Sequence, residues 1–282
     1  MKNLVRFAIH LILAFWLVSP LAALSLEQYT PAPLPDIAQI LDRGKLRVAQ
    51  TKEDVPLVFA KGKNGEISGF DVDLARAIAR DLGVELELRR TADSYDDVVN
   101  QVSRGEVDMG ISFLSRTARR GKYVLFSQPY LHQSMTLLIN RVSGLKFHKK
   151  CPSVNELEQT MKLGHTIGAQ TGSSYIARLR AHYPDLQLQE YHRTDEAIEA
   201  VSAGKIAVSL QGELAAKRYM SENPAARIRL RYCPIGEHPD QIAIAVPPGH
   251  YGLLNWVNVF LDEKEIKFQV SDLIEHKGSW KF

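Results

Sequence analysis

The sequence predicts an α/β protein with two similar lobes, each a mostly parallel sheet flanked by helices, on three observations. Amphipathic helices alternate with short apolar strands, the order that yields parallel sheets covered on both faces. A helix–glycine–strand unit occurs twice: "YDDVVNQVSRGEVDMGIS" from Tyr95 and "TDEAIEAVSAGKIAVSLQ" from Thr194, with Asp96 matching Asp195, Val102 Val201, Ser103 Ser202 and Gly105 Gly204. Two strands run out into polar loops, after Ser112 and after Ala169, the strand ends where ligands of such sheets gather.

Lys2 and Arg6, the apolar run Phe7 to Val18 and the small residues of "SPLAALS" form the pattern of a secretory signal peptide over 1–25, cleaved after Ser25 or Ala23. The run is shorter than the about 20 apolar residues of a membrane span. No cysteine lies near the site to take a lipid. Residues 26–36, "LEQYTPAPLPD", read as an extended leader. "IAQILDRGKLRVAQT" gives a short helix, a turn at Gly44–Lys45 and a strand, and "NGE" at Asn64–Glu66 marks a tight hairpin. In "GFDVDLARAIARDLGVELEL", Leu74, Ala75, Ile78, Ala79 and Leu82 share one helical face while Arg76, Arg80 and Asp81 face water. Gly83 stops that helix, and the strand Val84–Leu88 follows. The strand Val107–Ser112 leads into the loop Ser112–Arg120. The strand Thr166–Ala169 leads into "QTGSSY", where Gly172, Ser173 and Ser174 open a helix whose free amides favour an anion.

Charge excludes some functions. The 282 residues have 35 basic and 32 acidic side chains. Removing 1–25 takes Lys2 and Arg6 and no acid, leaving 33 against 32 and a charge of +1, with no general drive toward nucleic acid. The "HKK" run at His148–Lys150 reads as a solvated loop. No two of the nine histidines stand at the i, i+4 spacing of a helical zinc pair, so neither metal nor cofactor is expected. Export permits a disulfide between Cys151 and Cys233, and the sequence leaves open whether they pair.

"GKLRVAQT", "ISGFDVDLARAIARDLG", "VDMGISFLSRTARRGKYVLFSQPY" and "TIGAQTGSSY" stand in the order and spacing of a known family. From about Ile37 onward the chain resembles the type II periplasmic solute-binding proteins of ABC importers, in the polar amino-acid branch (family 3). The resemblance implies a soluble periplasmic monomer that captures a small carboxylate-bearing solute between its lobes and delivers it to an importer permease. It implies lobe one at 37–132 plus 242–282, lobe two at 136–237, and crossings near 131–135 and 237–241. In the family, a Thr-x-x-Arg element before Phe-Ser-x-Pro-Tyr holds the ligand's carboxylate. Here that element is Thr117 to Arg120, so Arg120 is the expected clamp, its planar fork matching a carboxylate as lysine cannot. Arg116 and Arg119 are expected in water. Ser115 stands where the family supplies further donors, and Tyr95 at an aromatic wall. Gln170, Ser173 and Ser174 face them from the second lobe.

The departures bear on the ligand. Thr51 stands where the family has an acid, Asp54 where it has an aromatic, and Phe113 replaces a small residue and supplies a substitute wall. Gly212 replaces the aspartate that holds an α-ammonium. The expectation is that simple amino acids bind weakly unless Glu213 or Asp54 substitutes. Two other functions stay open. Exported cyclohexadienyl dehydratases resemble the same family but have a glutamate where Tyr175 stands. Some similar proteins are accessory partners of periplasmic dehydrogenases. No appended kinase, transglycosylase or membrane segment is read in the sequence, and none is expected.

Overall fold

The computed structural model describes residues 31–143, 151–152, 156, 166–182, 184–276 and 278–282. The expected signal peptide, the leader up to Thr30 and the His148–Lys150 run lie outside them.

Helix α1, Pro35–Arg43, begins inside the expected leader because Pro35 takes the first helical turn, where a missing N–H costs nothing. It ends at Gly44, whose φ of 67° suits a left-handed cap. Strand β1 is Lys45–Thr51. The hairpin of β2, Ala60–Lys61, and β3, Ile67–Ser68, turns at Gly65 with φ 86°. Helix α2, Phe70–Asp81, buries the predicted apolar face and exposes Arg76, Arg80 and Asp81. Its first turn also buries Asp71 and Asp73, which periodicity did not anticipate.

Strand β4, Glu85–Ala92, is followed by α3, Tyr95–Ser103, capped by Ser94 Oγ, which accepts from the Asp97 amide. Strand β5 is only Met109–Gly110, shorter than the expected 107–112. The reason is local: Ser112 uses its hydroxyl to accept from the Thr51 amide, and Phe113 turns the chain out of the sheet with φ 52°. Then come β6, Leu125–Asn140; β7, Ile167–Gln170; α4, Ser174–His182; β8, Leu188–Tyr191; α5, Thr194–Ser202; and β9, Val208–Gly212. The rest comprises α6, Glu213–Glu222; α7, Ala226–Arg229; β10, Leu230–Val246; α8, Tyr251–Glu263; β11, Phe268–Gln269; and α9, Val270–Glu275.

The sheet order is β4-β1-β5-β10-β6-β9-β7-β8 among the described residues, with β11 beside β6. Strands β4, β1 and β5 are parallel to one another, as are β9, β7 and β8. The long antiparallel pair β6–β10 joins the two groups, which makes the whole a mixed sheet. Each group is packed on both faces. Leu46, Val48, Ile78 and Met109 share one cluster and Ala49, Val98 and Val102 another. Leu137, Ile167 and Val208 form a third, and Leu138, Ile198 and Val201 a fourth. The two echoed units, α3–β5 and α5–β9, occupy matching places, each strand lying between a parallel neighbour and the central pair.

The β6–β10 ladder breaks its register between Ile235, opposite Met135, and Asp240, opposite Gln133. The extra residues of β10 bulge out there, the usual consequence of an unequal count across a pair. The two expected crossings therefore lie side by side. Cys151 and Cys233 are disulfide-bonded with Cα atoms 5.4 Å apart, inside the range a bridge allows.

Candidate functional site

A cavity of about 520 Å³ opens between the two strand groups, lined from both. Thr51 reaches it from the end of β1, Asp54 from the loop that follows, Tyr95 from the start of α3, and Phe113 and Ser115 from the loop after β5. Gln170, Ser173 and Ser174 line it from the opposite group, and Gly212 from the end of β9. The cavity thus brings together nine of the ten residues singled out in the sequence. The tenth, Arg120, lies directly behind Ser115 and is only 2% exposed.

Local chemistry explains the positions of Phe113, Gln170 and Asp54. Asp71 accepts from the Phe113 amide at 2.7 Å and from the Tyr130 hydroxyl at 2.8 Å, fixing the left-handed turn that aims Phe113 at the cavity. Burial pushes the Asp71 carboxyl up to about 7, against the pull of these two bonds. Gln170 donates to the His192 carbonyl and accepts from Thr194, so its amide is committed to its own group. Asp54 is committed as well: Arg90 and the Lys61 amide donate to it.

Arg120 is the centre of a bridge between the groups. Its Nε donates to Asp96 at 3.0 Å, Nη1 to the Ser115 carbonyl at 3.2 Å and Nη2 to the Gly172 carbonyl at 3.2 Å. Burial lowers the Arg120 pKa and Asp96 opposes that fall. Arg119 pairs with the same Asp96 but is exposed, and Arg116 is exposed as well.

Sequence reasoning missed Asp240 and Gln133 as site residues. Asp240 is 4% exposed, and its Oδ2 accepts from Ser115 Oγ at 2.9 Å, Tyr175 Oη at 2.8 Å and Gln133 Nε2 at 3.4 Å. Burial raises its pKa, with these hydrogen bonds and the Arg178 charge pulling the other way. The signal for it was slight: one acid beside the apolar run "IAIAV", and one amide, Gln133, before "MTLLI". A Cβ at Gly212 would lie 2.4 Å from Gln133 Oε1, so the Gln133 amide fills the space in which a side chain at 212 would stand. Glu213 accepts from the Ser134 amide and pairs with Lys217, outside the cavity lining. Among the described residues, no acid, histidine and cysteine cluster could hold a metal ion.

The model of bacterial extracellular solute-binding proteins, family 3, matches residues 46–273. The chain belongs to this family. A glutamine-binding protein of Geobacillus stearothermophilus is 30% identical over 178 residues, 62% of this chain and 64% of that protein. Membrane-bound lytic murein transglycosylase F of Pseudomonas savastanoi pv. phaseolicola is 26% identical over 260 residues, 89% of this chain. The chain spans about half the length of that transglycosylase, 48%. Among solved structures, an ancestral amino acid-binding protein described as a precursor of cyclohexadienyl dehydratase superposes with a TM-score of 0.67 at 26% identity, covering 81% of this chain and 92% of its own. This family 3 protein is therefore of the type II periplasmic binding fold, and its relatives include amino-acid-binding proteins.

Proposed function

We propose that this family 3 protein is an extracytoplasmic binding protein that captures a small carboxylate-bearing solute in the cavity and delivers it to an ABC importer. One observation supports the reading most: a buried guanidinium, that of Arg120, touches both strand groups at the edge of the cavity. Its contact across the cleft is a neutral carbonyl, that of Gly172. A ligand carboxylate would replace that carbonyl with a charged, two-bond partner, a stronger acceptor. In this reading, residues 37–132 with 242–282 and residues 136–237 move as lobes about the adjacent crossings at 131–135 and 237–241. Closure around the ligand is the form that a permease reads. The signal peptide would place the protein in the periplasm as a soluble monomer.

The test is calorimetry of the full chain against a panel of carboxylates. Submicromolar to micromolar binding of one of them, abolished in Arg120→Ala, supports the reading. Turnover of prephenate would transfer the protein to the dehydratase class. Co-purification with a periplasmic dehydrogenase in place of a permease would make it an accessory partner.

A further inference from the structure

The strand group β9, β7 and β8 has a second surface at the end remote from the cavity. Strand β9 runs from Val208, opposite Ile139, to Gly212 at the cavity, opposite Met135. The Asn140 end of β6 therefore points away from the cavity. Asn140 stands opposite Leu230, and one further bond extends the pair, from the Arg141 amide to the Arg229 carbonyl at 2.8 Å. Val142 and Ile228 stand at the tip, one residue beyond that bond on each side. They are 75% and 77% exposed, more than any other large apolar side chain among the described residues.

Cations surround this tip. Arg141, Arg227 and Arg229 flank the two aliphatic residues in the chain, and all three are exposed. Lys205 joins them, also exposed, from the turn between α5 and β9. Two bonds tie that turn to Asn140: its Nδ2 donates to the Val201 carbonyl and its amide to the Ala207 carbonyl. The Nε atoms of Arg141 and Arg227 donate to the Leu230 and Met220 carbonyls, which holds the stems of both side chains. Residues 140–143, 203–207 and 223–231 contain no acid, and Glu222, just before the last of them, pairs with Arg218. Among the described residues, none of the four cations has an ion-pair partner. The whole chain is nearly balanced, with 35 basic and 32 acidic side chains, so the excess here is local.

Water solvates the four charges but leaves the two aliphatic side chains without cover. A small free anion would meet the cations and still leave Val142 and Ile228 in water. An anionic bilayer answers both needs, since its phosphates face the cations and its acyl boundary receives the aliphatic groups. We propose that this tip is a membrane-contact site, with Arg141, Lys205, Arg227 and Arg229 on the phosphates of an anionic phospholipid surface and Val142 and Ile228 at its acyl boundary. The contact lies at the opposite strand ends from the cavity and leaves the cavity free, whatever solute it holds.

The experiment is co-sedimentation of the full chain with vesicles of phosphatidylcholine, alone or mixed with phosphatidylglycerol in equal parts. Unmodified and variant chains share the same amino-terminal segment, so differences between them report the tip. The unmodified protein should prefer the mixed vesicles. Each basic residue near such a surface contributes about fivefold to partitioning, so Arg227→Gln with Arg229→Gln should lose about twentyfold. That loss should shrink in roughly 0.5 M salt, which screens exposed charge. Val142→Ser with Ile228→Ser should lose about fivefold or more and keep the loss in salt, because apolar transfer is not screened. Urea midpoints of both double variants should match that of the unmodified protein, since all four side chains are exposed; Lys205→Gln, with about a fivefold loss, stands in for a variant that fails to fold. Arg116→Gln with Arg119→Gln removes the same charge from the other strand group and should change partitioning less than about twofold. An equal loss there would reduce the effect to general charge and overturn the proposal. Equal binding to both vesicles, or unchanged binding in the Arg227 and Arg229 variant, would also overturn it. Retention on a polyglutamate resin without binding to vesicles would overturn the bilayer and assign the tip to an acidic protein.

Discussion

Arg120 Nη2 donates to the carbonyl of Gly172, and this bond joins two loops fifty-two positions apart in the sequence, one from each strand group. Gly172 is suited to the contact in two ways. Its φ is 68°, a conformation side chains rarely adopt, and a Cβ there would lie 2.7 Å from Ser94 Cβ at the start of α3. The close approach of the two strand groups depends on this missing side chain.

Gly172→Ala should therefore weaken ligand binding about tenfold or more by holding the groups apart, in addition to a backbone cost of about 1 kcal/mol. Adding Ser94→Gly removes the opposing atoms at a cap cost of only a few tenths of a kcal/mol. Binding in the double variant should recover in part. Calorimetry of the single and double variants decides it, and additive losses would show that the Ser94 contact is not the obstacle.

Arg120→Ala should lose about 2–5 kcal/mol of binding free energy for any carboxylate ligand, and Arg120→Lys should not restore it, because an ammonium lacks the planar fork. Arg119→Ala should bind nearly as the unmodified protein does. Its pair with Asp96 is exposed, and exposed pairs contribute about 0–1 kcal/mol. If the two alanine variants exchange behaviour, the roles of the adjacent arginines are reversed.

Gly212→Asp alone should not create a better amino-acid site. The backbone accepts a side chain, with φ −72°, but the Gln133 amide already occupies the space, and a second acid would face Asp240. A loss of about 1–3 kcal/mol in stability is expected from overpacking. Combining it with Gln133→Ala should return much of that loss, giving a non-additive cycle in urea unfolding. Strict additivity would mean that the Gln133 side chain yields without cost.

Asp71 predicts a pH dependence of stability. Its folded pKa, about 7, lies above the unfolded value of about 3.9, so the folded state binds the extra proton between them. The contribution to stability is complete below about pH 4 and is lost as pH rises through about 7. It is worth about 4 kcal/mol across that window. Asn at 71 is nearly isosteric and does not titrate. Urea unfolding from pH 4 to 8 should show the stability of the unmodified protein falling relative to Asp71→Asn as pH rises. A constant difference would place the Asp71 pKa near its ordinary value.

The bond between Cys151 and Cys233 closes a loop with a sequence separation of 82. Such a loop restricts the unfolded chain by about 4–5 kcal/mol on the entropy account. Denatured protein produced in an oxidising compartment should show no free thiol, and reduction should lower the unfolding midpoint sharply. Two titratable thiols, or an unchanged midpoint, would remove the bridge from the stability of the native protein.

What the sequence alone determined were features set by near neighbours. The helical face of Leu74, Ala75, Ile78 and Ala79, the glycine stops at Gly44 and Gly83, and the paired units at Tyr95 and Thr194 depend on residues three or four apart. They were legible for that reason. The loops after Ser112 and Ala169 were placed at the cavity because strand ends gather there in this class of sheet. The tertiary structure decided what distance in the chain hides. Asp240 meets Ser115, Tyr175 and Gln133, residues 125, 65 and 107 positions away. Asp71 meets Phe113 forty-two positions away. No periodicity encodes such meetings. They arise where the long β6–β10 pair breaks register and where buried carboxylates must find donors, a requirement that only the packed molecule can meet.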